Sequence, residues 1–198
     1  MPRQFRRLAL PIGDSLSRAI DAFSCEDEGD PVAQNVHEFL AKRRFEHGIS
    51  HGISATYLLT DSDCQPQLLG YVTLTFDAVR LTNSEKRRMD DLTGIPEFGA
   101  IRIQMIGVDH RHQGTHCGVD LLEATTGVAR QLSGLVAVRY VLADANIKKV
   151  EWYERAGFVR NKAKKYEDRP DPERSVSMRL DLLEKLTSPA STPDPASA

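Results

Sequence analysis

The chain has 198 residues, 40% apolar and 27% charged, and its 26 Lys and Arg against 28 Asp and Glu leave a net charge of −2. That composition describes one globular domain and excludes collagen, a coiled coil, a largely disordered chain and the whole-molecule basic field of an indiscriminate nucleic-acid binder. The sequence contains no run of about 18 apolar residues that could span a membrane, and the basic start at residues 1–7 lacks the apolar core of a secretory signal.

In chain order, residues 5–10 read as a short strand and 14–23 as a helix, with Leu16, Ile20 and Phe23 three to four apart. Asp30 is placed to cap a second helix and Pro31 to open it. Val32, Val36, Phe39 and Leu40 form its apolar stripe, and Gly48 is the predicted terminator. Residues 53–60 and 68–79 read as β-strands joined by a turn at 61–66, and Tyr71, Thr73 and Thr75 alternate with Val72, Leu74 and Phe76. A short helix is expected at 83–92 and a strand at 100–108. A long helix is expected at 114–131, with Val119, Leu121, Leu122, Thr125 and Val128 on or near one face. The nearly continuous apolar run at 135–145 predicts a central strand. A short helix at 148–156, a strand starting at Gly157 and a last strand at 175–182 follow. The Pro, Ser and Ala-rich end predicts a disordered tail at 185–198 behind one domain at 1–184. The pattern is α+β, a mixed sheet covered by helices.

Three cysteines, Cys25, Cys64 and Cys117, are odd in number, far apart and without a CxxC pair. They predict free thiols in a reducing, cytoplasmic setting rather than disulfides or a four-thiolate zinc site. His110, His112 and His116 cluster with Asp109 and Cys117. They straddle a turn and offer no fourth ligand, so no metal is expected.

Chemistry concentrates between residues 101 and 158. The strand ending at Val108 runs through Gln113, Gly114, Thr115, His116, Cys117 and Gly118 straight into a helix. Small residues at such a junction let backbone N–H groups converge at a helix N-terminus, which suits a pyrophosphate. It is neither a P-loop nor a dinucleotide fingerprint, and a tight turn without a ligand would read much the same. Beyond the next strand come Asn146, then Trp152-Tyr153, then Gly157-Phe158.

Together these residues resemble the GNAT superfamily of acetyl-CoA-dependent N-acetyltransferases, whose signature Q/R-x-x-G-x-G/A is matched at Gln113 and Gly118, with His116 in place of the central glycine. Within that superfamily the chain is similar to the tRNA-acetylating toxins of bacterial toxin–antitoxin modules. That likeness rests on Phe23-Ser24-Cys25 ahead of the capped helix with Phe39-Leu40, on Gly70-Tyr71-Val72-Thr73-Leu74, on Ile95-Pro96, on Ile106-Gly107-Val108-Asp109 and on Trp152-Tyr153.

The resemblance implies a GNAT fold, mostly antiparallel and splayed between its fourth and fifth strands, with acetyl-CoA in the opening. Backbone around Ile106, Gly107 and Val108 would pair with the pantetheine amides as an added strand. The turn at 113–118 would hold the pyrophosphate, and Asn146 would bond the pantetheine arm or cap the following helix. Tyr153 would act as general acid toward the departing thiolate. A phenol near pKa 10 facing a thiol near 8.5 makes that transfer uphill by about 2 kcal/mol, within reach of a general-acid step. An α-amino acceptor, with pKa about 8, is partly neutral at pH 7 and needs no strong base. Glu97 is a candidate base acting through water.

The implied acceptor is the α-amino group of aminoacyl-tRNA. The implied partners are that RNA and a small ribbon-helix-helix antitoxin, and the assembly common in the family is a homodimer. Rival readings are a GNAT enzyme for a small amine or protein N-terminus, and an inactive acyl-CoA-binding module. Residues 146–169 carry a local excess of positive charge. Lys148, Lys149, Arg160, Lys162, Lys164 and Lys165 are either a solvated face or an RNA-backbone track beside Tyr153.

Overall fold

The computed structural model describes residues 3–25, 30–61, 66–163, 166 and 175–183. The tail at 185–198, Cys64, and the cations Lys164, Lys165 and Arg169 lie outside the described residues. The alternating run at 68–79 builds the longest strand, β3 (Leu68–Val79), and six others assemble around it. β1 (Gln4–Arg7) and β2 (Ala55–Thr60) lie on one side. β4 (Phe98–Val108), β5 (Tyr140–Asn146), β7 (Ser175–Asp181) and β6 (Val159–Arg160) lie on the other. The order is β1-β2-β3-β4-β5-β7-β6, antiparallel throughout except for the parallel pair β4–β5. Inside the β2–β3 pair the Thr56 and Thr73 hydroxyls, both buried, bond each other at 2.9 Å. A buried hydroxyl without such a partner would be costly.

Helices cover both faces. α5 (Cys117–Ser133) lays Leu121, Leu122, Thr125 and Ala129 inward, and its apolar residues pack on Val72, Leu74, Ile101, Ile103, Val141 and Ala143. The opposite face is covered by α1 (Asp14–Asp21), α2 (Pro31–Ala41) and α3 (Arg44–Ser50), through Ile20, Phe39, Leu40 and Phe45 against Leu58, Leu68 and Tyr71. Each fully buried Leu or Phe contributes about 1.5–3 kcal/mol. Behind the far end of β4, α4 (Asn83–Arg87) starts with a reciprocal capping box between Thr82 and Glu85. The Glu85 carboxylate also takes Arg179 of β7 at 2.5 Å.

The element types agree with the sequence pattern, and several boundaries do not. The single helix expected to end at Gly48 is two, because Arg43 takes a left-handed backbone (φ 51°) and turns the chain between them; Gly48 lies inside α3. The Arg43 guanidinium holds that corner by donating to Ser17 and Asp21. The strand expected from residue 135 starts at Tyr140. Leu135 is 81% exposed and Val136 half exposed, so the apolar run overstates the strand. The helix expected from Gly114 starts at Cys117, because Gly114 (φ 78°) and His116 (φ 67°) are both left-handed.

Candidate active site

β4 stays with β3 to Val108, and β5 stays with β7 to Asn146. They pair with each other only where Ala100–Ile103 meets Tyr140–Ala143. The separation starts at a bulge. Thr73 opposes Met105 and Leu74 opposes Ile103, so Gln104 is an extra residue in β4. A bulge bends its strand and increases the local twist. The V-shaped opening is a cleft of about 780 Å³, lined on one side by 103–108 of β4 and on the other by Asp144, Asn146 and the helix that follows β5.

Of the residues expected to hold a cosubstrate, Ile106, Gly107 and Val108 line the β4 wall. Gly107 has a packing reason to be glycine. A Cβ there would lie 2.9 Å from Val36 Cγ1 and 3.0 Å from the Tyr71 ring, so a side chain would force both neighbours to shift. Gln113, Gly114, His116 and Gly118 line the same cleft at the α5 N-terminus. His116 keeps the left-handed backbone that suits glycine, at a strain of about 1 kcal/mol, and its exposed side chain makes no capping bond. Thr115 and Cys117 do not line the cleft; their side chains meet each other at 3.3 Å, and Cys117 is buried in the core. Gly118 is pressed beneath Trp152, whose ring would lie 3.0 Å from an added Cβ.

This corner is braced by residues that sequence reasoning missed. Arg3 donates to the Thr115 carbonyl at 2.7 Å and pairs with Asp120 in the first turn of α5. Asp109 is wholly buried after β4 and accepts from Arg111 Nε (2.8 Å), Arg111 N and Ser24 N. Burial alone would raise its carboxyl pKa, but the Arg111 side chain and those two N–H groups outweigh burial and lower it.

Asn146 is occupied by the protein itself. Its Oδ1 accepts from Lys148 N at 2.9 Å, capping the 3₁₀ turn Ile147–Lys149, and its Nδ2 donates to Asp30 at 3.1 Å. Asp30 also caps α2 through Val32 N (2.9 Å) and Ala33 N, and lies 3.8 Å from Lys148 Nζ. Burial pushes the Asp30 carboxyl up, yet these N–H donors and the Lys148 charge bring it below the usual carboxylate range. The capping alternative for Asn146 is thus the one visible in the fold.

Tyr153 sits on α6 (Val150–Arg155), lines the cleft and is 5% exposed. Its ring meets Trp152 edge-on (centroids 4.8 Å, 77°) and Phe158 likewise (5.2 Å, 75°). Among the described residues its hydroxyl has no hydrogen-bond partner. Burial raises its pKa well above that of a free phenol, and the Asp144 carboxylate pushes the same way. The Tyr153 phenol is therefore neutral throughout the physiological range. Asp144 itself is held by Arg102, which bridges it (2.7 Å) to Asp77.

The expected basic track is only partly at the cleft. Lys148, Lys149 and Arg155 line it. Arg160 does not, because it lies on the edge strand β6 and pairs with Glu154 at 3.2 Å. Lys162 is exposed and away from the lining, and Lys164 and Lys165 fall outside the described residues. Glu97 fails as a base on geometry. It precedes β4, pairs with Arg80 at 2.8 Å, and is separated from the opening by the whole β4–β5 ladder. Among the described residues no three His, Cys, Asp or Glu side chains converge on a metal-sized site. The α2 wall and Asp144 were also missed; a charged residue ending an apolar strand was the available signal for Asp144.

No protein-family profile matches the sequence, and no curated protein matches it. Solved structures do match. A structure described as a bacterial toxin superposes with a TM-score of 0.70, covering 91% of each chain at 21% identity. A tyrosine-to-phenylalanine variant of KacT gives 0.72, covering 92% of this chain and 96% of that one at 19% identity. The toxin AtaT, as a tyrosine-to-phenylalanine variant with acetyl-CoA and the C-terminus of the antitoxin AtaR, gives 0.67 over 91% and 93% at 16% identity. AtaT complexed with acetyl-methionyl-tRNAfMet gives 0.68 over 89% and 94% at 17% identity. With, among the described residues, a seven-stranded mixed sheet, helices on both faces and one parallel pair that splays beyond Ile103 and Ala143, the chain has the GNAT acetyltransferase fold of these toxins.

Proposed function

We propose that residues 1–184 form an N-acetyltransferase that moves the acetyl group of acetyl-CoA to the α-amino group of an aminoacyl-tRNA. The observation that carries this reading is the position of Tyr153, a neutral buried phenol on the wall of a cleft that exists only because β4 and β5 separate. The β4 edge at 104–108 is unpaired on the β5 side and suits an extended amide-bearing chain such as pantetheine. The α5 N-terminus, a 17-residue helix opening behind left-handed Gly114 and His116, suits the pyrophosphate.

The acceptor nitrogen attacks the thioester carbonyl, so a C–N bond forms and the C–S bond breaks. Tyr153 gives its proton to the departing sulfur and is reprotonated by the proton that the new amide nitrogen sheds. Lys148 and Lys149 flank the mouth and suit the phosphates of the acceptor end. The neighbours support this reading, since AtaT is seen with acetyl-CoA, with acetyl-methionyl-tRNAfMet and with its antitoxin's C-terminus. By the same reasoning this protein acts in the cytoplasm and is neutralised by a small ribbon-helix-helix antitoxin.

The test is transfer of radiolabelled acetyl from acetyl-CoA to charged tRNA, uncharged tRNA, small amines and peptide N-termini. Label on charged tRNA alone, released when the aminoacyl ester is hydrolysed, is the expected result. Label on small amines or peptides but never on tRNA overturns the acceptor. Acetyl-CoA binding without consumption by any acceptor leaves a binding module.

A further inference from the structure

The cleft has a second chemistry beyond the pyrophosphate end. On the face opposite α5, helix α2 lines the cleft with polar Asn35 and, turned toward β4, with apolar Val32, Ala33 and Val36. The three apolar positions are spaced i, i+1 and i+4, one side of a helix. They stand across from Met105 and Gly107, and Cys25 lies with them. The inner end of this wall is shut, since Val36 Cγ1 and Cys25 Sγ stand 2.9 and 3.4 Å from where a Gly107 Cβ would be. Toward the mouth Val32 and Ala33 are half-buried, so their apolar surface is open to an occupant. Asp30, the N-cap of α2, is the acidic group at the start of this wall, while Asp144 and Glu151 belong to the opposite wall of the cleft.

We infer that this recess receives the side chain of the acceptor's amino acid and selects an apolar one. The inference rests on the aminoacyl-tRNA reading, because it names which aminoacyl group the same site takes. An aliphatic or thioether side chain removes apolar surface of Val32, Ala33 and Met105 from water. Glycine leaves that surface wet. Aspartate or glutamate leaves its hydration shell for an apolar wall that offers its carboxylate no partner. A hydrophobic pocket of this kind discriminates by about 10- to 200-fold per missing group.

The test uses the full chain, labelled acetyl-CoA and one tRNA body charged in turn with methionine, isoleucine, leucine, glycine or aspartate by an acylating ribozyme, so that only the side chain varies. The expected result is kcat/KM at least about 10-fold higher for the three apolar acceptors than for glycine or aspartate. Ala33→Leu fills the recess, and its ratio of glycyl to leucyl transfer rises about 10-fold while its acetyl-CoA Kd stays that of the parent. A flat profile, a preference for glycine or aspartate in the parent, or an Ala33→Leu ratio equal to the parent's overturns the inference and leaves tRNA acetylation standing. Absence of transfer to every charged tRNA, with acetyl-CoA still bound, removes the aminoacyl-tRNA reading and the inference with it.

Discussion

The amide nitrogen of Asn146, at the end of β5, donates to the carboxylate of Asp30, the N-cap of α2, at 3.1 Å. This contact thus ties the helix on one wall of the cleft to the strand that leads into Tyr153. Asp30→Ala loses a helix cap and this bond, about 2 kcal/mol in all, while Asn146→Ala loses a shorter turn's cap and the same bond, about 1 kcal/mol. Because the bond is shared, the double variant is expected to be less destabilised than the sum, by about 0.5–1 kcal/mol. Urea unfolding of the four proteins measures this, and strict additivity would show that the two residues act independently.

Tyr153→Phe removes one hydroxyl that has no partner among the described residues and keeps the ring between Trp152 and Phe158. Its Tm should stay within about 2 °C of the parent, and the acetyl-CoA Kd should be unchanged. Loss of the proton donor should lower kcat by about 10²- to 10⁴-fold. Calorimetric titration and steady-state transfer to charged tRNA separate the two quantities. Equal loss of binding and turnover would make Tyr153 a packing residue.

His116→Gly tests the departure at the α5 N-terminus. The left-handed backbone at φ 67° strains a histidine and not a glycine, whereas glycine adds freedom to the unfolded chain. The net expectation is a gain below about 1 kcal/mol, or roughly 2 °C in Tm, with the loop conformation retained. A fall in Tm would mean that the His116 side chain makes a stabilising contact.

Legibility in the sequence followed the range over which each signal acts. The helix cap at Asp30 and the strand alternation at 68–79 rest on local patterns, and these pointed to the right elements. The bulge at Gln104 and the end of the β4–β5 ladder depend on which strands pair, a long-range property with no local mark. Asp109 looked like one of a polar cluster, and its role became visible only when Ser24, 85 positions earlier, was seen to donate to it. Glu97 and Arg160 were misplaced for the converse reason: nearness in sequence to the motif is not nearness to the cleft.

Acid should unfold the protein in a narrow window. Burial raises the carboxyl pKa values of Asp30, Asp109 and Glu85, but their hydrogen bonds and cations outweigh it, so all three lie below the ordinary range. A group with a depressed folded pKa lends stability that is complete above its unfolded value, about 4, and is lost as pH falls through the folded one. Tm should be nearly flat from pH 7 to about 5 and fall steeply below about 4. Asp109→Asn should start lower at pH 7 and lose less on acidification. A variant curve parallel to that of the parent would show that Asp109 does not drive the acid transition.

Lys148 serves two masters, since its backbone is capped by Asn146 and its ammonium lies 3.8 Å from Asp30. Lys149 lines the cleft without an ion pair among the described residues, and is the cleaner probe. If it meets a phosphate, Lys149→Gln should weaken charged-tRNA binding about equally for every tRNA sequence and reduce the slope of log K against log salt by about 1. It should leave kcat at saturating tRNA intact and leave turnover of a 3′-aminoacyl nucleoside, which has no RNA chain, unaltered. Equal losses on the nucleoside and on tRNA would place Lys149 at the reacting amine, and an unchanged salt slope would remove it from the RNA contact altogether.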